Sequence, residues 1–255
     1  GLSAACVGVC SPAVLNVPVI VVPVWPKANP AWAAIPVILQ SAAATREDVV
    51  RAIQAGATYC LTRPGDGRLL RALMGAALER RHRHRALDAQ MAGRTPATPG
   101  PGGPFRFRTL EEAETLAVGL ALVGANPPLL AMGLCELFTN AIEHGNLGIS
   151  YEEKAKLVRA GRWAAEVQAR LADPRHRHKC VEVRLDCPAG EVRFDVKDQG
   201  PGFDWRPFLE LRPERACCVN GRGIALANAL SFDRLDYLGC GNEVVGVVCA
   251  QPRAD

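Results

Sequence analysis

The chain has 255 residues, 49% of them hydrophobic and 22% charged, with a formal net charge of +4. That length fits one large domain or two modest ones and supplies ample apolar surface for a core. So small a charge, with aromatic residues at 5%, argues against nucleic acid as a partner, which calls for a basic stripe and stacking platforms. Ten cysteines form no Cys-x-x-Cys pair, and Cys60, Cys135 and Cys249 sit in apolar patterns. They read as buried thiols of a reducing cytoplasm rather than a disulfide framework.

The first charge is Lys27, so Leu2 to Pro26 invites comparison with a signal or membrane segment. It lacks the basic start of a signal peptide, and Pro12, Pro18, Pro23 and Pro26 sit poorly in a spanning helix. A cytoplasmic chain without a membrane partner is the expectation. Val17 to Trp25 and Ile35 to Gln40 are β-branched runs of the kind found in buried parallel strands. Thr45, with Asp48 three residues on, caps a predicted helix from Arg46 to Ala55, which Gly56 ends. Ala57 to Pro64 reads as strand then turn, and an amphipathic helix follows from about Gly67 to Gln90, with Leu69, Leu70, Leu73, Met74, Ala77 and Leu78 as its apolar stripe.

This order, Pro-Val-Ile-x-x-Ser-Ala, helix, Gly-Ala-x-x-Tyr-x-x-x-Arg-Pro, helix, resembles the second half of a response-regulator receiver domain. The resemblance matches Ser41 to the switch hydroxyl and Arg63-Pro64 to a Lys-Pro that bears on the phosphate. The departure matters more: the phospho-accepting Asp belongs near Val22 and Pro23, yet no acidic residue precedes Glu47. No phospho-acceptor is therefore assigned. Residues 1–92 are expected to form an incomplete, flavodoxin-like receiver unit that packs and dimerises. His82 and His84 are followed by Arg83 and Arg85 rather than by an acid, and read as the solvated end of a helix, not a phospho-His box. Residues 93–104, with four glycines and four prolines, are the expected linker.

The second domain is expected to span 105–251. Phe105 to Arg108 alternates as a half-buried strand does, and Thr109 with Glu112 makes a capping box for a helix to about Val123. Asn126 caps the next helix, with Pro127 at its first position. In Met132 to Asn146, Leu134, Leu137, Phe138 and Ile142 share one side, while Glu136, Asn140 and His144 recur every fourth residue on a neighbouring stripe. Such a stripe suits a site where Asn140 offers its carbonyl oxygen to a hard cation such as magnesium and Glu136 polarises a hydroxyl or water. Residues 150–180 read as a polar, mostly helical insertion with a solvated face; His176 and His178 lack further ligands at metal spacing. Val181 to Lys197 forms an antiparallel hairpin with one dry face, which delivers Asp198 to a strand end.

The order Glu-x-x-x-Asn on a helix (Glu136, Asn140), Asp-x-Gly-x-Gly (Asp198, Gly200, Gly202), then Gly-Arg-Gly opening a helix (Gly221, Arg222, Gly223) resembles the Bergerat (GHKL) ATPases. Within that superfamily, Glu-Leu-Phe-Thr-Asn-Ala-Ile-Glu-His-Gly-Asn and Gly-Arg-Gly-Ile look most like the anti-sigma-factor serine kinases. The resemblance implies an α/β sandwich with a mixed sheet covered by helices on one face. It also implies ATP and Mg²⁺ as cofactors, with Asn140 ligating the metal and Glu136 as base for a protein serine hydroxyl. His144 or Asn146 would support that shell. Asp198 would accept from the adenine amine, and Gly200 and Gly202 let backbone approach base and sugar. Gly221 and Gly223 would offer free amides to phosphate at a helix start. Phe203 to Asn220 would be a lid, with Arg215 or Arg222 meeting the γ-phosphate. The implied partners are an anti-sigma-factor antagonist protein and a sigma factor.

Overall fold

The computed structural model describes residues 37–41, 57, 59–62, 67–92, 101–209 and 221–249. The runs at Val17–Trp25 and Arg46–Ala55, much of the expected lid and Arg215 lie outside them. The described part of the N-terminal segment begins with two short parallel strands, β1 (Ile38–Ser41) and β2 (Tyr59–Thr62). Helix α1 (Gly67–Met91) follows them. Its first half buries Leu73 and Ala77 against Tyr59, while Leu87 and Met91 near its end join the main core. Met74 and Leu78, expected on its apolar stripe, are 36% and 46% exposed; the side that meets the strands is narrower than the sequence stripe.

The larger unit is a five-stranded sheet of β3 (Gly102–Phe107), β4 (Val181–Asp186), β5 (Glu191–Lys197), β6 (Arg234–Leu238) and β7 (Glu243–Cys249), in the order β3-β4-β5-β7-β6. Every neighbouring pair is antiparallel. The expected mixed sheet is thus corrected, and the connections explain why. β4–β5 and β6–β7 are short hairpins, and the single helical crossover, from β5 to β6, skips one position. β7 turns back into that gap and so runs antiparallel to both of its neighbours. β3 begins at Gly102, inside the stretch expected as linker. Pro104 is tolerated there because β3 is an edge strand, where a missing N–H costs no ladder bond.

Alternation decides which face is dry: Val181, Val183 and Leu185 on β4 and Val192, Phe194 and Val196 on β5 point into the core. Helices α2 (Leu110–Ala121) and α3 (Pro127–Asn140) cover that face, with Phe138 tilted over Phe107 at 4.8 Å between ring centroids. The predicted caps are present. Thr109 and Glu112 form a reciprocal capping box, and the Asn126 side chain accepts from the Leu129 N–H at 3.3 Å. On the opposite face Val245 and Val247 stay buried. Their cross-strand neighbours are the ion pairs Arg193–Asp195 and Arg234–Asp236, whose aliphatic stems shield them. Cys135 is buried, but Cys249 ends β7 exposed, so the expectation of a buried thiol fails there. Among the described residues, no helix is long and apolar enough to cross a membrane.

Candidate functional site

α3 is held by its apolar back, with Leu130, Leu134, Leu137 and Phe138 all buried. That packing fixes Glu136 and Asn140 on its other side, where both line a cavity of about 860 Å³. After Asn140 the helix widens into a π turn, Ala141–Asn146, a distortion often found at functional sites. The turn breaks the every-fourth spacing. His144 still reaches the cavity, but its Nδ1 bonds the Ile149 carbonyl at 2.5 Å, and burial holds the imidazole below its ordinary pKa.

The same widening turns Glu143 inward, a residue that sequence reasoning passed over. Its carboxylate is 0% exposed, accepts the Trp163 indole N–H at 3.0 Å and lies 2.5 Å from the Lys154 ammonium. Both partners come from the insertion, which folds as α4 (Tyr151–Arg159) and α5 (Trp163–Ala172). Tyr151, Lys154 and Val158, spaced i, i+3 and i+7, line the cavity. No residue of α4 is buried, yet this side of the helix borders the cavity. That spacing was the signal available in the sequence.

Asp198 follows β5, and its carboxylate accepts the Gly200 N–H at 2.7 Å. Burial pushes its pKa up to about 6, against the opposing effects of that hydrogen bond and of Lys179. Gly145 packs directly on this carboxylate, so that any side chain at 145 would collide with it. Gly200 faces the Gly145 backbone in turn and is not on the cavity wall. There it lets two loops interlock. Asn146 completes the joint, its Oδ1 accepting the Gln199 N–H at 2.8 Å and its carbonyl accepting from His176 and Lys179. Gly202, at φ +80°, lines the cavity against the Cys240 carbonyl. Phe203, Phe208 and Tyr237, with Phe203 edge-on to both other rings, also line the cavity, and burial raises the Tyr237 phenol well above its usual range.

The third segment opens α6 (Gly223–Leu230). Gly221, at φ +83°, lies under the Tyr151 ring, and Gly223 lies against the Glu136 carboxylate so closely that a Cβ would overlap it. Arg222 between them is 5% exposed, with its guanidinium 3.8 Å from the Tyr59 ring centroid. Glu136, Asn140, Asp198, Gly202, Gly221, Arg222 and Gly223 thus share one cavity. Its wall carries the Asp198 carboxylate, several aromatic rings, and a helix start that meets an acid, with the Asn140 carboxamide also on the wall. Such a space accommodates a flat polar ring and an anion.

Among the described residues no three His, Cys, Asp or Glu side chains converge as a metal site. The family model of the histidine kinase-like ATPase domain matches residues 108–246, more than half of the chain. No curated protein matches it.

Proposed function

The chain belongs to the histidine kinase-like ATPase family and is with it an ATP-binding signalling protein; from that premise we propose that it transfers the γ-phosphoryl group of ATP to a protein serine. The observation that carries this reading is the shared cavity of Glu136, Asn140, Asp198 and Gly221–Gly223. Asp198 accepts from the adenine amine, and the amides of the α6 start receive phosphate oxygens. Asn140 would hold Mg²⁺ through its carboxamide oxygen, a hard donor of the kind this cation takes. When bound, the ion neutralises charge on the phosphates. Glu136 then takes the serine hydroxyl proton as that oxygen bonds to the γ-phosphorus, and ADP leaves.

By this reading the chain is an anti-sigma-type serine kinase. It phosphorylates a small antagonist protein, sequesters a sigma factor, and carries an incomplete receiver-like segment ahead of the ATPase domain. The resemblance of Glu136–Asn146 and Gly221–Ile224 to that group supports it. A second reading, an adaptor switched by ATP without transfer, is favoured by the Tyr59 ring over Arg222, which keeps this guanidinium in the interior. Incubation with γ-labelled ATP and an antagonist protein separates the two. Label on serine that vanishes in Glu136→Ala supports the kinase; label on histidine, or on no protein, contradicts it.

A further inference from the structure

Among the described residues, the family motifs offer the triphosphate one cation, Arg222, whose guanidinium packs on the Tyr59 ring. Six carboxylate residues line the cavity, and among the described lining residues the permanent cations are Lys154 and Arg222. A nucleoside triphosphate carries several negative charges, so the cavity as described by its motifs alone would repel it. Arg222 is 5% exposed beneath Tyr59, whereas the Lys154 side chain is 19% exposed at the wall.

We propose that Lys154, carried by α4 and held beside Asn140 by Glu143, is a phosphate-binding residue of the nucleotide cavity. The proposal rests on the ATP reading above and extends it into the insertion. α4 is placed for this task at both ends of its inner face. Tyr151 packs on Gly221, at the turn that opens α6, and one helical turn later Lys154 reaches the π turn that follows Asn140. α4 therefore touches both segments that would meet phosphate, and the ammonium sits on the one that follows Asn140. Glu152, Lys156 and Arg159, on the outer face, are exposed and contribute nothing to the cavity.

The pair is unequal. Glu143 is wholly buried and tied on its second oxygen by the Trp163 N–H at 3.0 Å, so it cannot follow a ligand. Lys154 sits on a flexible four-carbon stem, and its ammonium has three donors. One stays on Glu143 while two turn to phosphate oxygens. Glu143 acts through Lys154 and is a positioning residue; it fixes the ammonium before nucleotide arrives and adds negative charge that opposes the triphosphate.

Removing Lys154 alone would strand a buried carboxylate, so the test compares two variants that both lack that charge. Glu143→Gln keeps an acceptor for Trp163 and keeps the cation; the double variant Glu143→Gln/Lys154→Met removes the cation as well. Dissociation constants for ATP with magnesium and for adenosine are measured by calorimetry on the intact chain. Glu143→Gln is expected to bind ATP severalfold more tightly than the unaltered protein. The double variant should bind ATP about tenfold or more weakly than Glu143→Gln, as expected for a lost charge-assisted contact, with adenosine unaffected. Equal ATP affinity in the two variants, or parallel losses for ATP and adenosine, would overturn the role of Lys154 while leaving the ATP site standing. No binding of either ligand to the unaltered protein would overturn both.

Discussion

Two acids face the same cavity and are treated in opposite ways. Glu143, in the π turn, is fully buried, with both carboxylate oxygens engaged by α4 and α5. Asp198, across the cavity, accepts one hydrogen bond from its own loop and is left desolvated enough for its pKa to rise to about 6. A buried carboxylate locked in an ion pair holds structure together, whereas one held in a dry site without a paired cation is poised for a ligand. The π turn is thus the hinge pin of the insertion, and on the proposed reading the Asp-x-Gly-x-Gly loop is the surface offered to the base. Gly145 ties them, since its bare Cα is what allows the two loops to touch.

The sharpest way to break this contrast is to exchange the fates of the two acids. Glu143→Ala should cost about 3 kcal/mol of unfolding free energy in denaturant titrations, at the low end for breaking a buried pair because Lys154 can turn toward the cavity. Asp198→Ala should leave stability unchanged or raise it and abolish adenosine binding. A comparable stability loss in both would erase the distinction.

Gly223→Ala probes the join between the acid helix and the helix start. Its Cβ would overlap the Glu136 carboxylate, so ATP affinity should fall about tenfold, or 1.4 kcal/mol. The melting temperature should hardly move, because alanine suits a helix better than glycine. Thr109→Ala is the converse control, since Thr109 itself does not line the cavity. Loss of its capping box should cost about 1 kcal/mol of stability and leave nucleotide affinity intact.

The smallest effect expected is a pH dependence. The Asp198 pKa is raised above its unfolded value, so its ionised form costs stability above pH 6, and that cost is relieved as pH falls through about 6 toward the unfolded pKa near 4. Adenosine, which has no phosphate to confuse the titration, should bind the ionised form better. Its affinity should fall severalfold as pH drops through about 6, and Asp198→Asn should flatten that profile.

Much of this was legible in the chain. The caps at Thr109 and Asn126, the one dry face of the β4–β5 hairpin and the three motif segments are local patterns of period, cap and glycine, which sequence states directly. What was not legible arises from events between segments. Nothing in Ala141–Asn146 announces the π turn, and it is this widening that sends Glu143 inward and takes His144 out of register with Glu136 and Asn140. Gly200 reads as a partner for the base from its place in the Asp-x-Gly-x-Gly motif; its contact with the Gly145 backbone depends on two loops meeting. Lys154 and Tyr151 were hidden in a stretch whose other charges do face solvent. The antiparallel order of the sheet turned on where one crossover lands, which local periodicity cannot specify.

The central claim is that three separated segments close over one nucleotide, and calorimetric titration of the intact chain with ATP and magnesium tests it most directly. A single site with one ATP per chain, lost in Asp198→Ala and weakened in Gly223→Ala, is the predicted result. No heat from the unaltered protein, or binding that survives both substitutions unchanged, would contradict it.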